Sequence, residues 1–379
     1  MDHGTGKTTP LHEAVQAAGA RLNPFAGWIM PLQFAGVVVE HRAVRSTVGV
    51  FDISHMGVLT LRGPAVKDAL QGLVPSDLGR IGPGEAQYTV LLDEQGGILD
   101  DLIVYDRGLM ADRHEVVVVL NAARCAADTA WLERHLLPEG CTVSDRKGDG
   151  VLLALQGPQA VPLLERLRGW DLQGLPRFGH RQLAWGDEQV FLARTGYTGE
   201  DGVEVLLSRE GGQQLWRELL EHGVQPCGLA ARDTLRLEAA LHLYGQDMDT
   251  SHTPLEASLG WLVHLEMPHP FIGREALEAQ TRTGVSRRLA GLALQGRAIA
   301  RHGHSILDAT GDIIGVVTSG SWSPSLGHAI ALGYVPPAMA RPGTDLLVQV
   351  RGQQVAARVV RRPFYRRPVA SLAGDGLKP

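Results

Sequence analysis

The stretch Gly96-Gly97-Ile98-Leu99-Asp100-Asp101-Leu102-Ile103-Val104-Tyr105 decides how this chain folds, because it is an apolar strand that opens on a glycine pair and carries two adjacent carboxylates. The glycine pair follows Leu91-Leu92-Asp93-Glu94-Gln95 and reads as a hairpin turn, so residues 88–92 and 98–105 are expected to be antiparallel neighbours. Side chains alternate along a strand. Asp101 is therefore expected on one face with Leu99, Ile103 and Tyr105, and Asp100 on the other with Ile98, Leu102 and Val104. Opposite faces exclude a single acid/base dyad made of these two groups. One is expected to line a site, and the other to accept hydrogen bonds from turn or backbone donors. A carboxylate among apolar neighbours is partly desolvated, which raises its proton affinity and suits it to work on a nitrogen nucleophile. A plainer alternative stays open at this point: both aspartates cap the turn.

Upstream and downstream of this hairpin the chain repeats itself. Leu59-Thr60-Leu61-Arg62-Gly63-Pro64-Ala65-Val66 resembles Leu153-Ala154-Leu155-Gln156-Gly157-Pro158-Gln159-Ala160-Val161, each reading as a strand, a Gly-Pro stop and a helix with proline at its first position. Each unit is followed by a hairpin with acidic residues in an apolar strand, Asp100 and Asp101 in the first and Glu204 in the second. If the two units pack face to face, Asp101 and Glu204 border one shared cavity, since ligand sites favour such junctions. Residues 115–121 are too uniformly apolar for a half-exposed strand and predict a central one that delivers Asn121 at its end. Residues 213–223 and 230–244 predict helices, and the plain reading of Arg232 and Arg236 on the second is a solvated face. The last third, with short β-rich runs such as 313–318 and 346–350 between Gly- and Pro-rich turns, predicts a small separate β-barrel.

Length and charge narrow the function classes. The 379 residues exceed one typical core, so two or three domains are expected. With 36 Lys+Arg against 41 Asp+Glu and no long basic run before 361–367, the chain does not read as a nucleic-acid binder. Cys125, Cys141 and Cys227 are odd in number and lack C-x-x-C spacing, which points to a reducing compartment and away from a thiolate metal site. Residues 1–7 lack the apolar core of a secretory leader, and no apolar run is long enough to span a bilayer, so a cytoplasmic protein without a membrane role is expected. Gly6-Lys7-Thr8 imitates the end of a phosphate loop, but Met1 rather than glycine stands five positions before Gly6 and no strand precedes it, and His302-Gly303-His304 has no partner ligands at metal-site spacing. No metal is expected.

Taken together, these motifs resemble the aminomethyltransferase, or T-protein, family of the glycine cleavage system, nearly from end to end. The resemblance runs through Thr9-Pro10-Leu11-His12, Phe25-Ala26-Gly27-Trp28, Phe51-Asp52-Ile53-Ser54-His55-Met56-Gly57 and the Gly96 hairpin. It continues with Arg194-Thr195-Gly196-Tyr197-Thr198-Gly199-Glu200-Asp201-Gly202, Ala231-Arg232-Asp233-Thr234-Leu235-Arg236, Leu243-Tyr244-Gly245-Gln246-Asp247 and Thr318-Ser319-Gly320. Ala230 departs from the family's usual glycine before Ala-Arg-Asp.

The resemblance implies an α+β cloverleaf of three domains: two related αβ domains with antiparallel sheets, at 1–55 with 145–265 and at 56–144, and a C-terminal β-barrel at 285–379. It implies tetrahydrofolate as the acceptor of a one-carbon unit brought as an aminomethyl group on the lipoyl arm of a partner H-protein, with ammonia released and 5,10-methylenetetrahydrofolate formed. Asp101 matches the family's key carboxylate, Glu204 the pterin edge, Tyr88, Asn121, Tyr197 and Arg232 folate-contacting positions, and Met56 an apolar wall. The cluster Arg361-Arg362-Pro363-Phe364-Tyr365-Arg366-Arg367 is open between folate glutamates, the H-protein surface and a solvated tail. Two other readings share the pterin site: a folate-dependent demethylase of the same fold, and a non-catalytic folate-binding protein. Relatives of the second kind carry Lys-Gly-Cys where this chain has Gly228-Leu229-Ala230-Ala231-Arg232-Asp233.

Overall fold

The structure, a computed structural model, describes residues 6–367. Residues 1–5, with most of the leader reading, and residues 368–379, the end of the expected barrel domain, lie outside them. In chain order the strands of the first two thirds are β1 (Lys7–Thr8), β2 (Arg21–Phe25), β3 (Trp28–Gln33), β4 (Gly49–Asp52), β5 (Gly57–Gly63), β6 (Ala86–Leu92), β7 (Ile98–Met110), β8 (Arg113–Leu120), β9 (Thr142–Asp145), β10 (Val151–Gln156), β11 (His180–Trp185), β12 (Glu188–Ala193), β13 (Gly202–Leu207) and β14 (Gln225–Pro226). The strands of the last third are β15 (Arg288–Leu294), β16 (Ser305–Leu307), β17 (Ile313–Ser323), β18 (His328–Val335), β19 (Asp345–Val350) and β20 (Gln353–Val360), and they close into a barrel. The helices are α1 (His12–Ala17), α2 (Val37–Ser46), α3 (Val66–Gln71), α4 (Cys125–Leu136), α5 (Ala160–Arg168), α6 (Arg209–Glu221), α7 (Leu229–Glu238) and α8 (Arg274–Thr283).

The repeat seen in the sequence is a repeat of topology. One sheet has the order β6-β7-β8-β5-β9, and the other β11-β12-β13-β10-β4-β14, which is the same order with β4 inserted. Leu163, Leu164, Leu215, Trp216 and Leu219 of α5 and α6 cover the outer face of the six-stranded sheet, and Val66, Leu70, Leu132 and Leu136 of α3 and α4 that of the five-stranded sheet. The inner faces meet in a third core of Phe51, Ile53, Tyr105, Val117, Leu152, Phe191 and Leu206. Burial on both faces explains the valine run of β8: Val116 and Val118 face the helices while Val117 faces the other sheet. Each such side chain contributes ~1.5–3 kcal/mol by leaving water.

Four local expectations are corrected. The 88–92/98–105 hairpin forms, but its register pairs Leu91 with Asp100 and Leu92 with Ile98, so Leu99 is an extra residue in a β-bulge. Ile98 therefore shares the Asp101 face with Val90 and Leu92, and Leu99 packs with Leu102 and Val104 on the Asp100 face, the reverse of simple alternation. Pro64 and Pro158 are not first helical residues: α3 and α5 begin two positions later, and the Gln159 N–H is drawn to the Thr47 carbonyl at 3.0 Å. Helix α6 starts at Arg209, four residues early, because Ser208 caps it by accepting from the Gly211 N–H, while Gly212 is required by close packing on Val151. Helix α7 stops at Glu238, not at residue 244, because Ala240 takes φ 54° and the Leu241 N–H bonds back to the Arg236 carbonyl.

Residues beyond this stop cross from one sheet to the other. Met248, Leu259, Leu262, Met267, Phe271 and Leu277 pack on Val90, Leu92 and Ile98, so the stretch up to 265 that the sequence attaches to the first αβ unit lies against the hairpin of the second. That crossing roofs the central cavity.

Candidate active site

Asp101 sits on β7 where the strand leaves the inter-sheet core, and its carboxylate faces a cavity of about 800 Å³. The Tyr88 hydroxyl, from the paired strand β6, donates to its Oδ2 at 2.9 Å, and the Asn121 amide, at the end of β8, donates to its Oδ1 at 2.7 Å. Burial, followed by the neighbouring Asp100 charge, pushes its proton affinity up to about 7 against the pull of those two donors. A carboxylate poised there can take a proton from an amine at neutral pH. The glycine turn is capped by another residue, Asp93, whose Oδ1 accepts from the Gly97 and Gln95 N–H groups at 2.7 and 3.0 Å. Neither Asp100 nor Asp101 caps the turn.

The second sheet contributes Glu204, on β13, to the same wall. Glu204 is the third hairpin strand's acid rather than the second's, so Asp101 and Glu204 are not equivalent positions of the repeat. Its Oε2 accepts from the Thr195 hydroxyl at 2.6 Å; with that proton used, Thr195 accepts from Tyr105 at 3.3 Å. No protein group bonds Oε1 among the described residues. Arg232, on α7, lies 4.7 Å above the Tyr197 ring, and its Nη1 is buried without a partner. Burial lowers its proton affinity, but from an ordinary guanidinium range so high that the charge stays. The Tyr197 hydroxyl donates to the His242 carbonyl. Met56 completes the group, and all seven residues singled out in the sequence line this one cavity.

Arg236, one turn on, overturns the solvated-face reading: it is buried and bound to Asp247 at 2.6 Å and Ser319 at 2.8 Å, tying α7 to the barrel. His55 and Trp261 also line the cavity and were missed as site residues. Neither ring nitrogen of His55 has a protein partner among the described residues, and burial followed by the Arg232 charge lowers its proton affinity to about 3, so it is neutral. Trp261 stacks 6.2 Å from Tyr88 and is 66% exposed. A single exposed tryptophan between helices carries no periodic signal that could have marked it. Arg362 and Pro363 line the cavity, while Arg367 pairs with Asp201 at 3.5 Å, so the basic cluster is divided between site and surface.

The two remaining motifs have ordinary places. Lys7 and Thr8 form β1 beside β3, and His302 Nδ1 lies 3.0 Å from the Thr318 carbonyl while His304 Nδ1 accepts from the Arg301 N–H at 3.2 Å. Among the described residues no group of three or more His, Cys, Asp or Glu is placed to hold a metal ion, and no helix is long and apolar enough to cross a membrane.

Comparison with known proteins agrees with this geometry over its whole length. Residues 11–267 match the family model of the GCVT N-terminal domain, and residues 287–366 that of the glycine cleavage T-protein C-terminal barrel domain. The chain is 65% identical to an aminomethyltransferase of Synechococcus sp. (strain RCC307), over 95% of this chain and 99% of that one. It is 61% identical to an aminomethyltransferase of Prochlorococcus marinus (strain MIT 9303), over 96% and 99%. The crystal structure of glycine cleavage system aminomethyltransferase T from Bartonella henselae superposes with a TM-score of 0.88 at 39% identity, over 95% of this chain and 98% of that one. Two stacked αβ sheets, a closed barrel and this degree of identity have one reading: the chain belongs to the glycine cleavage T-protein family and is an enzyme, an aminomethyltransferase.

Proposed function

We propose that the cavity holds tetrahydrofolate, and that the enzyme passes to it the one-carbon unit of an aminomethyl group carried on the lipoyl arm of H-protein. The observation that carries this reading is Asp101: a carboxylate with neutral-range proton affinity, fixed by Tyr88 and Asn121, on a wall it shares with Glu204 and the unpartnered Arg232. A cavity of this size suits a molecule of folate dimensions. Glu204, held by Thr195, is suited to accept the paired N3–H and 2-amino donors of a pterin edge. Arg232 offers its free N–H groups to an oxygen of the same ring, and Tyr88, Tyr197 and Met56 supply apolar surface around it.

In this reading N5 of the folate attacks the methylene as ammonia leaves, and N10 then closes the ring as the lipoyl sulfur departs. Asp101 accepts the proton that N5 sheds and returns it to the amine that leaves as ammonia, stabilising cationic character at the methylene, and the proton of N10 goes to the departing sulfur as the ring closes. A cytoplasmic setting fits the free thiols Cys125, Cys141 and Cys227. Asp101→Asn is expected to release ammonia from aminomethylated H-protein, with tetrahydrofolate present, on the order of 10²-fold more slowly or worse while remaining folded. Tetrahydrofolate raises Tm by mass action, and Glu204→Gln reduces that shift while leaving the unliganded Tm nearly unchanged. Normal turnover by Asp101→Asn, or an undiminished folate shift in Glu204→Gln, overturns the respective assignment.

A further inference from the structure

We infer that the folate cavity continues past Trp261 into a cationic groove that receives the γ-linked glutamyl tail of the folate, so that this enzyme is built for oligoglutamylated tetrahydrofolate. The inference rests on the cavity holding tetrahydrofolate, as proposed above. A second cavity of about 490 Å³ opens beside the first, and Ser258 and Trp261 line both. The order of residues along the way matches the order of groups in a folate. Glu204 is suited to the pterin edge and Asp101 to N5 and N10, while Tyr88, which donates to Asp101 at 2.9 Å, is the ring on which Trp261 stacks at 6.2 Å. A folate laid along that line carries its benzoyl group past Tyr88 and Trp261 and its glutamate toward the groove.

The groove selects by charge. No acidic residue lines it, and its one charged side chain is Arg288, the first residue of β15. Arg362, just after β20, lines the first cavity and lies close enough to Arg288 for the two charges to repel. A Cβ at Gly291 would come within 2.8 Å of Arg362 Cγ, so the barrel wall keeps a glycine where that arginine crosses it. Neither guanidinium has a hydrogen bond or an ion pair among the described residues. The carboxylate that attracts Arg362, Asp247, already holds Arg236, Thr318 and Ser319. By contrast, the adjacent Arg287 is paired with Glu256 at 3.2 Å. Gln280, on α8, accepts from the Thr253 hydroxyl at 2.6 Å and keeps its amide N–H groups for another acceptor. Two unpaired guanidinium groups in line suit an anion with carboxylates in series, which a γ-glutamyl tail is. The lipoyl arm carries no anionic group to match them.

The test compares tetrahydrofolate carrying one glutamate with tetrahydrofolate carrying five. In ammonia release from aminomethylated H-protein the pentaglutamate is expected to show a KM on the order of tenfold lower, with kcat alike, because the tail is remote from Asp101. That gain should shrink as KCl is raised. Arg288→Glu, at an exposed position, should bring the ratio of the two KM values close to one. The Tm rise produced by each ligand gives the same comparison without H-protein. Equal KM values and equal Tm rises in the wild type, or an undiminished ratio in Arg288→Glu, overturn the tail site. Failure of the folate reading itself looks different: the monoglutamate then neither raises Tm nor supports turnover, before any tail is added.

Discussion

Asp101 binds its proton more tightly in the folded chain than in an unfolded one, so its contribution to stability runs against its contribution to activity. Its proton affinity rises from 3.8 to about 7 on folding. Between those values the folded state holds more protons, and stability therefore falls as pH climbs through the window. The ceiling on that loss is about 4 kcal/mol, and water reaching the carboxyl through the cavity reduces it. Asp101→Asn removes the ionisation and lets the Tyr88 hydroxyl turn to accept from the amide. The variant should melt above wild type at pH 8, the difference closing toward pH 4, while ammonia release collapses. Equal melting temperatures at pH 8 would mean that Asp101 ionises without cost, against the desolvation that makes it a base. Activity of the wild type should rise through about pH 7 as the carboxyl loses its proton.

At the scale of elements, the backbone departs from the sequence pattern where a local bond competes with periodicity. Residues 230–244 keep helical spacing, yet α7 ends at Glu238 because Ala240 adopts a left-handed turn that sends the chain over the cavity. No glycine marks the place, so the sequence does not announce it. Ala240→Gly relieves the strained φ at the cost of a more flexible unfolded chain and should raise stability by ~0.5–1 kcal/mol in thermal melts. A destabilised variant would show that the Ala240 methyl group is needed more in the cavity wall than glycine is in the turn. The hairpin carries the same lesson. Glycines 96 and 97 announced the turn and the apolar run announced the strand, but the bulge at Leu99 turns Ile98 onto Met248, Leu262 and Phe271, which lie about 150 to 170 residues further along. Long-range contacts of that kind leave no local mark. The hairpin, the central strand, the barrel and the repeat were legible because each is a pattern of period or punctuation. His55 and Trp261 were not, since their place on the cavity wall comes from how the two sheets meet.

At the scale of the whole molecule, the Glu238 carboxylate joins Arg236 and Asp247 in tying the barrel to the αβ body. Glu238, the last residue of α7, accepts from Arg45 of α2 at 2.9 Å, from the Ser325 hydroxyl at 2.8 Å and from Ser323 of β17 at 2.5 Å, and lies 3.2 Å from His41 Nε2. Its own carbonyl accepts the Tyr365 N–H, two residues past the Pro363 that lines the cavity. Burial alone would raise its proton affinity, but His41, Ser323 and Arg45 outweigh it and draw the carboxyl down to about 2 from 4.5. Here the unfolded chain binds more protons, so the stabilisation is complete above the unfolded value and is lost as pH falls from 4.5 toward 2. Glu238→Gln should therefore cost about 3 kcal/mol at pH 7, a gap that narrows steadily on acidification, because it leaves Arg45 buried against a neutral amide. The barrel's trailing segment reaches the cavity, so the same variant should show a smaller tetrahydrofolate-induced rise in Tm although Glu238 itself does not line the site. Wild-type folate stabilisation in a clearly destabilised Glu238→Gln would mean that the two αβ sheets build the folate site without the barrel, and that the barrel's contact with the cavity is incidental to binding.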